Sequence, residues 1–112
     1  MAEPLCSLEA RNRDGAVVVT VEGEIDLSNV DDVEAQILHH AQVSGQPRVV
    51  IDVTAVTYLD SAAFAAFERL ARRIPAWLVL PRTAPLHRAV EISGIREILP
   101  IFESVDDALA SR

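Results

Sequence analysis

The sequence predicts an α/β domain: a mixed, mostly parallel sheet of about five strands with about four helices, entered through an N-terminal antiparallel hairpin. Three observations predict it. Two strand-like runs, LCSLEARNR and AVVVTVEGEID, are separated only by Asp14-Gly15, a strong two-residue turn signal. Helix-patterned segments then alternate with short apolar runs, as in parallel sheets built from crossover units. One of those runs, RVVIDV, is apolar without alternation, which suits a strand central in a sheet or covered on both faces. With 112 residues, half of them hydrophobic, one domain over residues 1–112 with one core is expected.

The elements follow in order. Residues 5–13 and 16–26 form the hairpin. Ser28 with Asp31 three residues on has the form of a capping box, and Val30, Val33, Ile37 and Ala41 then share one helix face. SGQP ends that helix, and RVVIDV follows as a strand. TAVTYLD reads as a loop leading into a second helix, where Asp60 is a good N-cap and Phe64, Phe67, Leu70, Ala71 and Ile74 make an apolar stripe. Pro75 terminates it, and AWLVL is a short buried strand. Pro85 suits the first turn of a third helix that runs to Ser93 and stops at Gly94. EILPIF reads as the last strand, and SVDDALA as a final helix capped by Ser104.

Composition removes several classes of function. The net charge is −7, with 17 acids against 10 bases, whereas phosphate backbones are bound by basic patches, so no direct nucleic-acid partner is expected. Every base is an arginine. Without lysine there is no Schiff base and no P-loop or receiver-type phosphate contact. Apolar runs are too short to span a bilayer, MAEPLCSLEA lacks the features of a secretory leader, and Cys6 is a lone thiol. A cytoplasmic protein without membrane insertion is the expectation, with no cofactor and no metal. His39 and His40 are helix neighbours about 100° apart, hence poor joint ligands. No G-x-S-x-G elbow surrounds Ser61 and no phosphate-binding glycine loop is present, so an enzyme is not expected.

The informative stretch is YLDSAAFAAF, residues 58–67. Asp60 and Ser61 are explained by helix capping alone. Yet the first turn of a helix also accommodates a phosphate, with a favourable contribution of about 0.3–1 kcal/mol when exposed. A phosphoryl group on Ser61 would add roughly −1.5 to −2 charges beside Asp60 and leave the fold intact. With Phe64 and Phe67 facing the core, Ala62, Ala63, Ala65 and Ala66 would leave a flat front for another protein. Alanine's helix propensity explains them equally well.

VVIDVTAVTYLDSAAF resembles the signature of the STAS family, the domain of bacterial anti-sigma factor antagonists and of sulfate-transporter tails. VEGEID is similar to that family's second landmark, and AVEISGIREILPIFESVDDALA to its C-terminal third. The resemblance covers nearly the whole chain in register. It implies a STAS-like domain without catalysis of its own: an anti-sigma factor antagonist that binds an anti-sigma factor with serine kinase activity. The kinase phosphorylates the serine of Asp-Ser and ends the complex; a phosphatase restores it. Carried over, Ser61 is the phosphoacceptor, and Asp26, Thr57, Tyr58, Asp60, Ser61, Ala62 and Ala63 are the partner-binding residues. Where the family has Ser or Thr, then Gly, then an aliphatic residue, this chain has Ala62, Ala63 and Phe64. The alternative is a non-switching STAS scaffold subunit of a membrane lipid-transport (ABC) complex. A weak homodimer through the N-terminal strand is left open.

Overall fold

The computed structural model describes residues 5–111. Strand β1 (Cys6–Arg13) and strand β2 (Ala16–Ile25) form the expected hairpin, with Arg13 opposite Ala16. Asp14 and Gly15 make the turn with φ of 49° and 79°. Both central residues are left-handed, which is the geometry that lets a two-residue turn follow the twist of its strands. Next come helix α1 (Val30–Ser44), strand β3 (Arg48–Leu59), helix α2 (Ser61–Arg73), strand β4 (Ala76–Val79) and helix α3 (His87–Ser93). A 3₁₀ turn at Ile95–Glu97, strand β5 (Ile101–Phe102) and helix α4 (Val105–Ala110) complete the order. The sheet runs β1-β2-β3-β4-β5, with only the β1–β2 pairing antiparallel.

The sheet divides the core. Val17, Val19 and Val21 of β2, with Val49, Ile51 and Val53 of β3, pack beneath Ile37 of α1, Phe67 and Leu70 of α2 and Val90 of α3. On the other face Ala16, Val18, Val50 and Val79 are covered by Ala108 of α4. Beyond that helix the same face emerges as Thr20, Glu22, Asp52 and Thr54, none of them buried. RVVIDV is therefore covered on both sides only as far as Ile51.

Four sequence expectations change. TAVTYLD is not a loop: β3 continues through it to Leu59, still paired with β2. An extra β3 residue intervenes at each of two register shifts, between Thr20/Glu22 and Gly23/Glu24 on the β2 side. The buried positions thus fall at Val53, Val56 and Leu59, three apart, and the period-two signal vanishes. The Ser28–Asp31 box does not form, because the helix begins after Asn29 and the Ser28 hydroxyl is engaged by Asp26. Pro85 sits in the turn before α3, which starts at His87. Of EILPIF only Ile101–Phe102 is strand; Glu97 belongs to the 3₁₀ turn. The cap at Ser104 is present, its hydroxyl accepting the Asp107 N–H at 3.0 Å.

Gly23 has a role that its isolation in the sequence hides. Its φ is +103°, and a Cβ there would lie 2.1 Å from the Leu5 carbonyl oxygen. That carbonyl accepts the Glu24 N–H at 2.9 Å. Only glycine permits this crossing.

Candidate functional site

The parallel strands end at one edge of the sheet, and two of these ends approach each other. After β2, Asp26 folds the chain back: its Oδ1 accepts the Ser28 N–H at 2.9 Å and the Ser28 hydroxyl at 2.5 Å. Asn29 locks the same bend by accepting the Asp26 N–H and donating to the Glu24 carbonyl, both at 2.9 Å. The Ser28 hydroxyl, then the Ser28 N–H, hold the Asp26 carboxyl below the ordinary carboxylate value. After β3, Asp60 caps α2, its Oδ1 accepting the Ala63 N–H at 3.0 Å. Its Oδ2 accepts the Leu27 N–H, also at 3.0 Å. One carboxylate therefore fixes the start of a helix and ties it to the neighbouring loop.

Glu24, Asp26, Leu27, Ser28, Tyr58 and Asp60 line a shallow depression at this junction. Leu27 is 78% exposed and Tyr58 47%. Ser61 occupies the first position of α2 and is exposed. The surface therefore offers a hydroxyl, two unusually exposed large side chains and three carboxylates. Nothing in it resembles a nucleophile with a base, and among the described residues no group of acids, histidines or cysteines is arranged to hold a metal.

The structure distributes the seven expected partner-binding residues unevenly. Asp26, Tyr58 and Asp60 line the depression together, while Ser61 follows Asp60 at the exposed start of α2 with the half-buried Ala62 next to it. Thr57 lies outside the depression, its hydroxyl reaching the Gly23 carbonyl at 3.4 Å. Ala63 is a correction: it is fully buried and offers no side chain to a partner. Ala66 is buried too, whereas Phe64 is only half-buried, so the small-residue front of α2 is Ala62 and Ala65. The methyl that stands where the resemblance expects glycine is buried in the main core cluster. Asp52 lies mid-strand in β3, away from this edge, accepting the Thr54 N–H and hydroxyl.

Leu27 is the residue the sequence reading missed. An apolar side chain between Asp26 and Ser28, outside the stripe of the following helix, was the available signal.

Comparison with known proteins places this arrangement. The family model for the STAS domain matches residues 7–108. The chain belongs to the STAS domain family. It is 23% identical over 106 residues to the anti-sigma F factor antagonist of Paenibacillus polymyxa, covering 91% of each chain. Among solved structures, an anti-sigma factor antagonist from Mycobacterium paratuberculosis is similar with a TM-score of 0.77 and 28% identity, over 97% of this STAS chain and 96% of that one. The Bacillus cell fate determinant SpoIIAA in its phosphorylated form shares the fold, with a TM-score of 0.56, 16% identity and coverage of 92% and 96%. No helix among the described residues is long and apolar enough to cross a membrane.

Proposed function

We propose that this STAS protein is an anti-sigma factor antagonist, which binds an anti-sigma factor carrying serine kinase activity and is released when Ser61 is phosphorylated. The observation that carries the proposal is an exposed Ser61 at the first position of a capped helix, directly after Asp60, which lines a depression with the exposed Leu27 and Tyr58. The names of the similar proteins support the antagonist role. The existence of a phosphorylated SpoIIAA supports a phosphoryl switch on this fold.

The physics of the switch is local. The kinase transfers the terminal phosphoryl group of ATP to Ser61 Oγ: the bond from that phosphorus to the bridging oxygen breaks, ADP leaves, and the hydroxyl proton passes to solvent. Both Asp60 oxygens are already bonded to backbone N–H groups, so this acid stays in place beside the new dianion. With Asp26 and Glu24 nearby, the phosphate makes an acidic surface strongly repulsive to any acid of the docked partner and adds bulk where close approach is needed. The free backbone donors of the first turn of α2 accommodate it, so the fold is retained. A phosphatase reverses the state by removing the group.

The test is binding of wild type and Ser61→Asp to the partner kinase, with mass spectrometry of the wild type after incubation with kinase and ATP. One added phosphate on Ser61 and at least about tenfold weaker binding by Ser61→Asp are expected. Equal affinities would remove the switch. The scaffold alternative draws on Ala62, Ala63 and Phe64, which replace the usual hydroxyl, glycine and aliphatic positions. Co-purification with an ABC ATPase, unaffected by Ser61→Asp, would favour it.

A further inference from the structure

The two edges of the sheet are unequal. β5 is two residues long, while β1 is an eight-residue edge strand paired to β2 without a single register shift. Edge strands are ordinarily blunted by proline, a bulge or charged side chains; β1 has no proline and no bulge, and its exposed charges, Glu9, Arg11 and Arg13, are of both signs. Its outward-pointing groups can be assigned. In a hairpin with a two-residue turn, the pair flanking the turn is hydrogen-bonded and bonded pairs then alternate. Arg13, Arg11, Glu9 and Ser7 therefore bond to β2, opposite Ala16, Val18, Thr20 and Glu22. The Leu5 carbonyl, bonded to Glu24 N–H, keeps the same parity. Cys6, Leu8, Ala10 and Asn12 consequently turn their N–H and C=O groups to the open edge.

We infer that this edge pairs antiparallel with β1 of a second copy, about a two-fold axis at Ala10. The register follows from charge. Ser7, Glu9, Arg11 and Arg13 share one face of the strand. Centring the axis on Ala10 sets Glu9 opposite Arg11 of the other copy, twice, and Leu8 opposite Asn12. Centring on Glu9 would oppose two glutamates, and centring on Arg11 two arginines. In the Ala10 register the bonded pairs are Ala10–Ala10 and Leu8–Asn12, made by the residues whose backbone groups point outward. Glu9 and Arg11 then fall at non-bonded pairs, where Cα atoms lie about 4.5 Å apart and side chains are closest. Among the described residues neither Glu9 nor Arg11 has an ion-pair partner in its own chain. Both are exposed, as is Ala10, whose small side chain leaves room at the axis. Each copy carries −7, so the association is weak and concentration-dependent. It produces one continuous ten-stranded sheet from two five-stranded ones. Its failure would not touch the reading of Ser61, which lies off this strand.

Sedimentation of the full chain from about 1 µM to 1 mM tests it. Wild type should pass from monomer to dimer. Glu9→Arg and Arg11→Glu should each weaken the dimer about tenfold or more, since attraction becomes repulsion at both pairs. The double variant Glu9→Arg/Arg11→Glu should restore it to within about threefold, because the opposed charges are merely exchanged. Ala10→Pro removes an outward N–H only; it should abolish the dimer while circular dichroism stays that of the folded chain. A wild type that remains monomeric throughout, or a dimer indifferent to Glu9→Arg and Ala10→Pro, would overturn the inference.

Discussion

Where the parallel strands begin, at the hairpin turn and the start of β3, two arginines are bonded to the polar groups around them. Arg48 donates to the Leu109 carbonyl at 3.2 Å, the Ser111 carbonyl at 2.9 Å and the Asp14 carbonyl at 2.9 Å, and its guanidinium lies 5.8 Å from the Trp77 ring centroid. Arg13 pairs with Asp106 of α4. One arginine thus ends a helix, closes a turn and anchors a strand. At the opposite end, where β2 and β3 finish, Asp26 and Asp60 also satisfy backbone donors, but what they hold up faces outward: Leu27, Tyr58 and Ser61. The difference is one of sign and direction. Arginine at the strand starts consumes carbonyls and closes the fold, while aspartate at the strand ends consumes N–H groups and leaves side chains on display.

The largest expected effect breaks the scaffold of the displaying end. Gly23→Ala puts a Cβ onto the Leu5 carbonyl at a φ that alanine disfavours, and should cost about 3 kcal/mol in denaturant unfolding. A loss under about 1 kcal/mol would mean that the crossing relaxes freely. Next comes the closed end. Arg48→Met keeps a long unbranched side chain but removes the guanidinium over Trp77 and its three hydrogen bonds, for about 2 kcal/mol and faster amide exchange in α4 than in α2. Uniform exchange would show that α4 does not depend on this side chain.

Asp60 sharpens the contrast at smaller cost. Asp60→Asn keeps a good N-cap for α2 but offers only one acceptor oxygen, so the Leu27 N–H loses its partner. About 1 kcal/mol and a mobile Leu27 loop are expected, against about 2 kcal/mol for Asp60→Ala, which loses both bonds. If Leu27 amide relaxation is unchanged in the asparagine variant, the bridge between the two strand ends is not what holds the loop.

The sequence disclosed the closed parts of this protein better than the displayed ones, for physical reasons. The hairpin was legible because Asp14-Gly15 can do little else, and the caps at Asp60 and Ser104 because each side chain bonds within three residues. The length of β3 was hidden because two extra residues break the alternation on which strand reading depends. Ala63 and Ala66 read as surface in the sequence although both are buried, because an alanine's burial depends on what packs over it and its identity says nothing of that. The bond from Leu27 to Asp60 spans 33 residues and joins two strand ends that only the parallel pairing of β2 and β3 brings together. The Arg69–Glu34 pair between α2 and α1, with an N–O distance of 2.6 Å, is another long-range contact without a local signature. Ser61 was found through a motif, and its exposure is a property of the fold.

The smallest effect concerns how the Asp26 bend is held. Ser28 contributes a hydroxyl and a backbone N–H to the same carboxylate oxygen, and together they lower the Asp26 pKa from the ordinary 3.8. A group whose folded pKa is depressed stabilises the fold fully above its unfolded value and loses that contribution as the pH falls through the folded one. The contribution of Asp26 is therefore complete at neutral pH and disappears only in acid, below 3.8. Ser28→Ala deletes the hydroxyl, the larger cause, and keeps the N–H, so the Asp26 pKa should rise part of the way back. Carboxyl-carbon NMR titration of wild type and variant reads this directly. An Asp26 that titrates identically in both proteins would show the backbone N–H to be sufficient, and the loop that presents Leu27 would then owe its shape to Asn29 and Asp60 alone.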